Sequence, residues 1–578
     1  MRAISILKNP LIWFLFLILG YSAYKNFKFN EINNVLTSDG RGYYVYLPAI
    51  LIFDSFEKSS EVEKSYFKNE IDQYYLFKDS NGRIFNKYFP GVSLMQLPFF
   101  LFACLLAWLF NLPLDGYSTI FLYLFYVGGL AYSISAYYLF NKFLIKFYTE
   151  KSFNKWLVPI FYSATPLLFY SFNTISFSHL YSFFLFVIFS LQVIKLKDEY
   201  SFKGVFYLGL IVGLIFLVRP TNILIIFIIP FLLVDYDSLK SFFKKLMEEK
   251  GKGFILGLIG FLSLFFVLLL VWKWQSGSWI VWSYNGEGFN FNKSQLLNCL
   301  FSFRTGLFIQ TPILIFSILS VILLFKNNKY QNSMWIIYFI ITSWVISCWW
   351  CWDYESSFGN RAFSEHMMFT LLPILPLIFR YKFIIYYFLL AFSILGVIRY
   401  FEKENNFMND QRFTSSNYFE SLKFWENKNK NRWNFTKSCI PYGRMLNSKI
   451  ILEDSQIHTI KENDEFIYGA IDSLLKPRTS ERYYYRVELE KQTKEKSFEG
   501  VMLVIDAFNT DLSKRYYKTI DLFNDRLEGK KYWKKLEFEG MIHDNFQEFD
   551  NVKIYIWNQG KKRFKIRNCK IVIEKFKS

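Results

Sequence analysis

The chain has no glycine-rich phosphate loop, no His-Glu-x-x-His pair and no Gly-x-Ser-x-Gly elbow. Nucleotide-driven and hydrolytic chemistry of those kinds is therefore disfavoured. Its six cysteines (Cys104, Cys299, Cys348, Cys351, Cys439 and Cys569) are mostly isolated, so neither a disulfide framework nor a zinc module follows from them. Cys348-Trp349-Trp350-Cys351 has redox-motif spacing but ends an apolar run without a thioredoxin-like pattern around it, and packing is the expected role of both thiols. There is no small-residue cleavage site after the first apolar run, no short-period repeat and no disordered low-complexity tract.

What the chain does have is apolar length. Of 578 residues, 53% are hydrophobic and 22% aromatic, in repeated runs long enough to cross a hydrocarbon core of about 30 Å. Twelve such runs are expected as spans, near 12 to 24, 92 to 110, 118 to 141, 156 to 171, 179 to 194, 203 to 218, 221 to 234, 254 to 272, 306 to 325, 333 to 350, 366 to 379 and 383 to 399. More than half of the 67 Lys and Arg and 48 Asp and Glu residues lie beyond residue 400, so polarity changes there. Of the residues behind the net charge of +19, many lysines sit in short loops beside the runs, where they set topology and meet anionic lipid. Nucleic acid is not an indicated partner; membrane lipid is.

The expected organisation is a transmembrane domain over residues 1 to 400, with a long first outer loop at 25 to 89. A connector at 401 to 440 and a soluble domain at 441 to 578 follow. Loops 142 to 155, 195 to 203, 235 to 253, 326 to 329 and Arg380-Tyr381-Lys382 carry the cations that place them in the cytoplasm. Loops 172 to 178, Arg219-Pro220-Thr221-Asn222, 273 to 305 and 349 to 365 then face outward with the C-terminal domain. Twelve crossings from a cytoplasmic start would leave that domain inside, so an odd number is expected, with one run between 90 and 141 re-entrant or subdivided. The count is about 11 to 13. Beyond residue 400, Tyr483–Leu489, Val501–Asp506, Val552–Asn558 and Phe564–Arg567 alternate with period two, which predicts an antiparallel β-sandwich.

Candidate chemistry collects in the outward stretches. Asp39, in Ser38-Asp39-Gly40-Arg41-Gly42-Tyr43-Tyr44, is a carboxylate between glycines that let a backbone approach closely. It could remove a proton from an attacking hydroxyl or hold a divalent ion. Arg41, Tyr43 and Tyr44 offer a cation and amphipathic rings to a sugar or interfacial lipid; an interfacial turn with an aromatic belt is the competing reading. Arg219 between two apolar runs would be costly against lipid, and with Asn222 it could clamp a phosphate; the alternative is a loop cap with a snorkelling side chain. Arg304, Asp353, Glu355 and Arg361 lie on the same face, among tryptophans that could stack on a sugar or anchor at headgroups. His179 could ligate a metal, donate to phosphate or simply pack.

Several stretches together resemble the GT-C superfamily of integral-membrane glycosyltransferases, in particular the bacterial branch related to protein mannosyltransferases and lipid A aminoarabinose transferase. They are Ser38–Tyr44, Tyr88-Phe89-Pro90-Gly91-Val92-Ser93, Val218–Asn222, Arg304-Thr305-Gly306-Leu307-Phe308 and Phe358-Gly359-Asn360-Arg361. The resemblance implies a GT-C-like domain over residues 1 to about 400 and Asp39 as the catalytic base. It implies a polyprenyl-phosphate sugar donor, a glycan, lipid or protein acceptor, and inversion at the anomeric carbon. Many relatives carry a second carboxylate directly after the first; Gly40 stands there, which leaves metal use open. The C-terminal domain, with Trp533, Tyr555 and Trp557, is similar to a carbohydrate-binding jelly roll, though these rings could equally be core. The implied location is the outer face of the cytoplasmic (inner) membrane, in cell-envelope glycan assembly. A lipid-linked sugar flippase and a non-catalytic glycan-assembly scaffold are the alternatives.

Overall fold

The computed structural model describes residues 32, 35–67, 75–78, 82–148, 156–284, 287–303, 305–354, 357–404, 444–473, 481–492, 501–510, 515–522, 533–541 and 550–577. The run at 12 to 24 and residues 405 to 440 of the expected connector lie outside them, while 401 to 404 continue a helix. The chain divides into two compact units, one of Met1–Gly288, Thr311–Ile346 and Arg361–Val397, the other of Phe289–Gln310, Ser347–Asn360 and Ile398–Ser578.

The first unit is helical. Its elements include α1 (Asp39–Tyr44), α2 (Phe56–Phe67), α3 (Gly91–Leu109), α4 (Thr119–Phe147), α5 (Ser178–Asp198), α6 (Phe202–Val218) and α7 (Tyr236–Ser276), the last broken by non-helical backbone at residues 248–251. Later come α8 (Lys329–Ser347), α9 (Ser364–Thr370), α10 (Ile374–Arg380) and α11 (Lys382–Glu404), the first and last of which run across the division between units. A small hairpin pairs β1 (Leu76–Lys78) with β2 (Ile84–Asn86). Helix α5 is buried along most of its length, whereas α7 exposes Phe254, Ile255, Leu258, Leu262, Phe266 and Leu270. An exposed apolar stripe of that kind suits a lipid-facing helix.

By length and composition, five described helices can cross a bilayer: Gly91–Leu109, Thr119–Phe147, Ser178–Asp198, Tyr236–Ser276 and Ile384–Lys403. The pair Arg361–Thr370 and Ile374–Arg380, bent by 43°, is either a sixth, broken span or a re-entrant loop. The 11 to 13 spans expected from hydropathy are not reached among the described residues, because hydropathy does not see where apolar backbone stops being one helix. Leu157–Ser163 and Leu167–Phe172 are separated at Ala164-Thr165-Pro166, and Pro220–Ile228 and Pro312–Leu314 run as 3₁₀ turns from a leading proline. A proline lacks the N–H that a continuing α-helix needs. The region from 90 to 141, expected to be re-entrant or subdivided, instead holds the 19 residues of α3 and most of the 29 of α4, each a continuous helix.

The second unit carries the sheets. Strand β10 (Asn551–Asn558) lies between β5 (Phe466–Ser473) and β7 (Val501–Phe508), and β8 (Arg515–Asp521) flanks β7. The other sheet has the order β3 (Arg444–Asp454), β11 (Phe564–Lys577), β6 (Glu481–Gln492), β9 (Lys534–Met541), with β4 (His458–Ile460) also on β11. All pairings are antiparallel. Tyr485, Val487 and Leu489 of one sheet share a core with Leu503, Ile505, Val552, Ile554 and Ile556 of the other, so the alternation legible in the sequence is that of a two-layer sandwich. Tyr555 and Trp557 alternate with the core positions of β10 and stand on the opposite face. Trp533 lies under the Arg567 guanidinium at 4.2 Å. In the loops of this unit, Cys348 is free and Cys351 is disulfide-bonded. The packing role expected of both thiols therefore holds for Cys348 alone.

Candidate functional site

Asp39 opens α1, after Ser38 at φ 43°. The glycines around it have steric reasons: a Cβ on Gly40 would run into Ser176, and one on Gly42 into Tyr88 and Tyr75. The short helix is thereby pressed against its neighbours with Asp39 at its start. The Asp39 Oδ2 accepts an ion pair from Arg361 Nη2 at 3.0 Å, and both side chains keep some exposure, 17% and 20%. Arg361 also lies over the Phe177 ring at 5.4 Å.

Arg219 is the residue at which α6 stops. It has extended backbone, φ −160° and ψ 115°, as the residue before a proline prefers. Its guanidinium faces the fully buried carboxylate of Glu365 at 3.7 Å. Glu365 Oε2 accepts from His179 Nδ1 at 2.7 Å, and Oε1 accepts from Asn222 Nδ2 at 2.9 Å. Asn222 Nδ2 also donates to Ser182 Oγ at 2.7 Å. On the next residue, His366 Nδ1 pairs with Tyr338 Oη at 2.7 Å. A buried carboxylate is tolerated only with partners of this number and charge.

Tyr43 lies within electrostatic reach of both ion pairs. Burial first, and then the charge of Asp39, push its hydroxyl up to about 12, against the opposing pull of Arg219 and Arg361 and a hydrogen bond to Ser178. At neutral pH it is a donor and not a base. Its ring meets Tyr88 at 4.6 Å, and Tyr88 meets Tyr284 at 6.3 Å. Lys87 Nζ sits 5.6 Å from each of the Tyr88 and Tyr284 rings and pairs with Glu287 at 2.5 Å. The result is a set of compensated charges beside a row of tyrosines, chemistry suited to a phosphate with a sugar attached.

The structure therefore brings Asp39, Tyr43, His179, Arg219, Asn222 and Arg361 together. Of the other expected residues, Arg41 and Tyr44 are engaged with partners of their own. Arg41 donates to the Leu36 carbonyl at 2.9 Å, faces Glu63 at 4.0 Å and lies over Phe67. Tyr44 donates to the Gly116 carbonyl and packs against Phe100, Tyr117 and Phe125. Asp353 is buried within the second unit. Arg304 and Glu355 lie outside the described residues. Sequence reasoning missed Glu365, which sits at the edge of an apolar run; the signal for it was Arg219, since a guanidinium amid apolar helices needs a counter-charge.

Among the described residues the donors do not fit a divalent ion. Asp39 and Glu365 are both engaged by guanidinium groups, and among the described residues no group of three or more His, Cys, Asp or Glu could hold a metal. The fold and site define a membrane-embedded helical protein with a C-terminal sheet region. No protein-family model matches the chain, and no curated protein matches it in sequence.

Proposed function

We propose that the protein is an inverting membrane glycosyltransferase of the GT-C type. It takes a sugar from a polyprenyl-phosphate donor and gives it to a glycan, lipid or protein acceptor on the outer face of the cytoplasmic membrane. The observation that carries this reading is the meeting of Asp39 and Arg361 at 3.0 Å, with Arg219 acting on the same Tyr43 hydroxyl. In the reaction, the acceptor oxygen attacks the anomeric carbon while Asp39 takes its proton. The bond from that carbon to the phosphate oxygen breaks, and the electron pair leaves with the phosphate, which Arg219 and Arg361 stabilise. Donor phosphate competes with Asp39 for Arg361, so donor binding releases the carboxylate to act as a base. No step is routed through a metal. The disulfide at Cys351, in a stretch assigned to the outer side by the loop charges, supports an oxidising compartment. The sandwich is read as a jelly-roll-like glycan-binding domain, with Tyr555 and Trp557 on its outer sheet face.

Asp39→Asn is expected to lower transfer from a synthetic polyprenyl-phosphate sugar by about 10²- to 10⁴-fold while leaving the melting temperature near that of the wild type. Full retained activity removes Asp39 from the mechanism. A flippase is the second reading, favoured by the burial of Glu365 and His366 within helices bent by 43°. Reconstituted vesicles separate the two: movement of a fluorescent donor between leaflets, with no glycosylated product, marks the flippase.

A further inference from the structure

Glu365 is the carboxylate of the cluster that faces Arg219, and its charge opposes the ligand that Arg219 would bind. Its carboxylate is fully buried, held by His179 Nδ1 at 2.7 Å and Asn222 Nδ2 at 2.9 Å, and stands 3.7 Å from Arg219 Nη1. Those two anchors fix the anion from the side, so it stays in place when Arg219 turns to another partner. Arg219 keeps 16% exposure where Glu365 has none, and only the cation can reach an incoming ligand. A phosphate that meets Arg219 thus meets a guanidinium already half neutralised.

We propose that Glu365 is a positioning residue that acts through Arg219 as a fixed counter-charge, weakening phosphate binding so that the prenyl phosphate left by transfer departs. The inference rests on the transferase reading and assigns product release to a residue of the same cluster. Coulomb attraction at this distance is strong enough, even in a protein-like dielectric, for loss of the anion to tighten phosphate binding by about tenfold or more. Glu365→Gln keeps the shape and the bond from Asn222, so it removes charge with little change in volume.

The experiment measures binding of farnesyl phosphate, and of inorganic phosphate as the arm without a lipid tail, to the full chain in nanodiscs. With Glu365→Gln, both probes are expected to bind at least tenfold tighter. KM for the donor and kcat should fall together, and the tightening should vanish in Arg219→Gln/Glu365→Gln. Tightening of farnesyl phosphate alone would assign the gain to the tail, and overturn the counter-charge. Should the Gln variant fail to fold, Glu365→Asp keeps the charge but withdraws it toward its own helix; tightening of several-fold is then expected. Unchanged or weaker phosphate binding, with only a loss of melting temperature, overturns this inference and leaves the transferase reading standing. Failure of the wild type and both variants to bind either probe overturns the two together.

Discussion

Arg41 and Arg219 look alike as sequence signals, each a cation beside a conformationally special residue, yet their partners differ. Arg41 is spent on the Leu36 carbonyl and Glu63, which also accepts from the Tyr75 hydroxyl and is itself buried. Arg41→Ala leaves that carboxylate short of a partner. It is expected to cost about 1–3 kcal/mol of stability, read as a lower melting temperature, with the donor KM unchanged; a rise in KM at constant stability would return Arg41 to the site. Arg219 could be recognised from sequence because an isolated arginine amid apolar helices demands an explanation. Arg41 could not be told from it, since its partner Glu63 sits 22 residues on, in an ordinary-looking polar helix. Tyr43 makes a separate prediction. Its raised value, about 12 against 10.0 for a free phenol, favours the protonated form in the folded state. The associated stability is complete below about pH 10 and lost as pH climbs toward 12. Tyr43→Phe is therefore expected to leave the shape of the transfer pH profile between about pH 6 and 9 unchanged; a displaced limb in that range would mean that Tyr43 titrates in the reaction.

At the scale of elements, Arg219 is placed by close backbone approach. A Cβ on Gly91, at the start of α3, would strike the Leu217 and Val218 backbone, the last turn before Arg219. Further along α6, Gly209 lies against the Gly257 carbonyl of α7, and Gly260 against the Phe206 carbonyl. Small residues at such crossings let helix backbones touch. Gly91→Ala is expected to cost about 1–3 kcal/mol and to reduce transfer more than that loss explains, because α6 must shift and carry Arg219 with it. Wild-type transfer at a lowered melting temperature would show that Arg219 tolerates the shift. The sequence marked Phe89-Pro90-Gly91 as notable and placed α3 and α6 within a residue or two. It could not tell that the apolar run from 221 to 234 is largely a 3₁₀ segment, because hydropathy records what a run is made of and not which N–H its prolines remove. The strands of the sandwich were legible for the opposite reason. Tyr485, Val487 and Leu489 must all face one core, so burial writes period two into the sequence.

Across the whole molecule, the cysteines carry the information about compartment that their spacing concealed. Cys348 and Cys351 look like one motif, but only the second is disulfide-bonded. Alkylation of the denatured, unreduced protein is expected to label Cys104, Cys299, Cys348 and Cys569 and to spare Cys351 until a reductant is added. Labelling of Cys351 without reductant would remove the support that the bond gives to an outward-facing site. That bond also has a consequence for biogenesis. Insertion of the apolar helices requires no oxidant, but closing a bridge at Cys351 does, so maturation divides into two stages handled by different machinery. A host deficient in dithiol oxidation should accumulate chains that are fully inserted yet open at this loop, and surveillance proteases would find them there first.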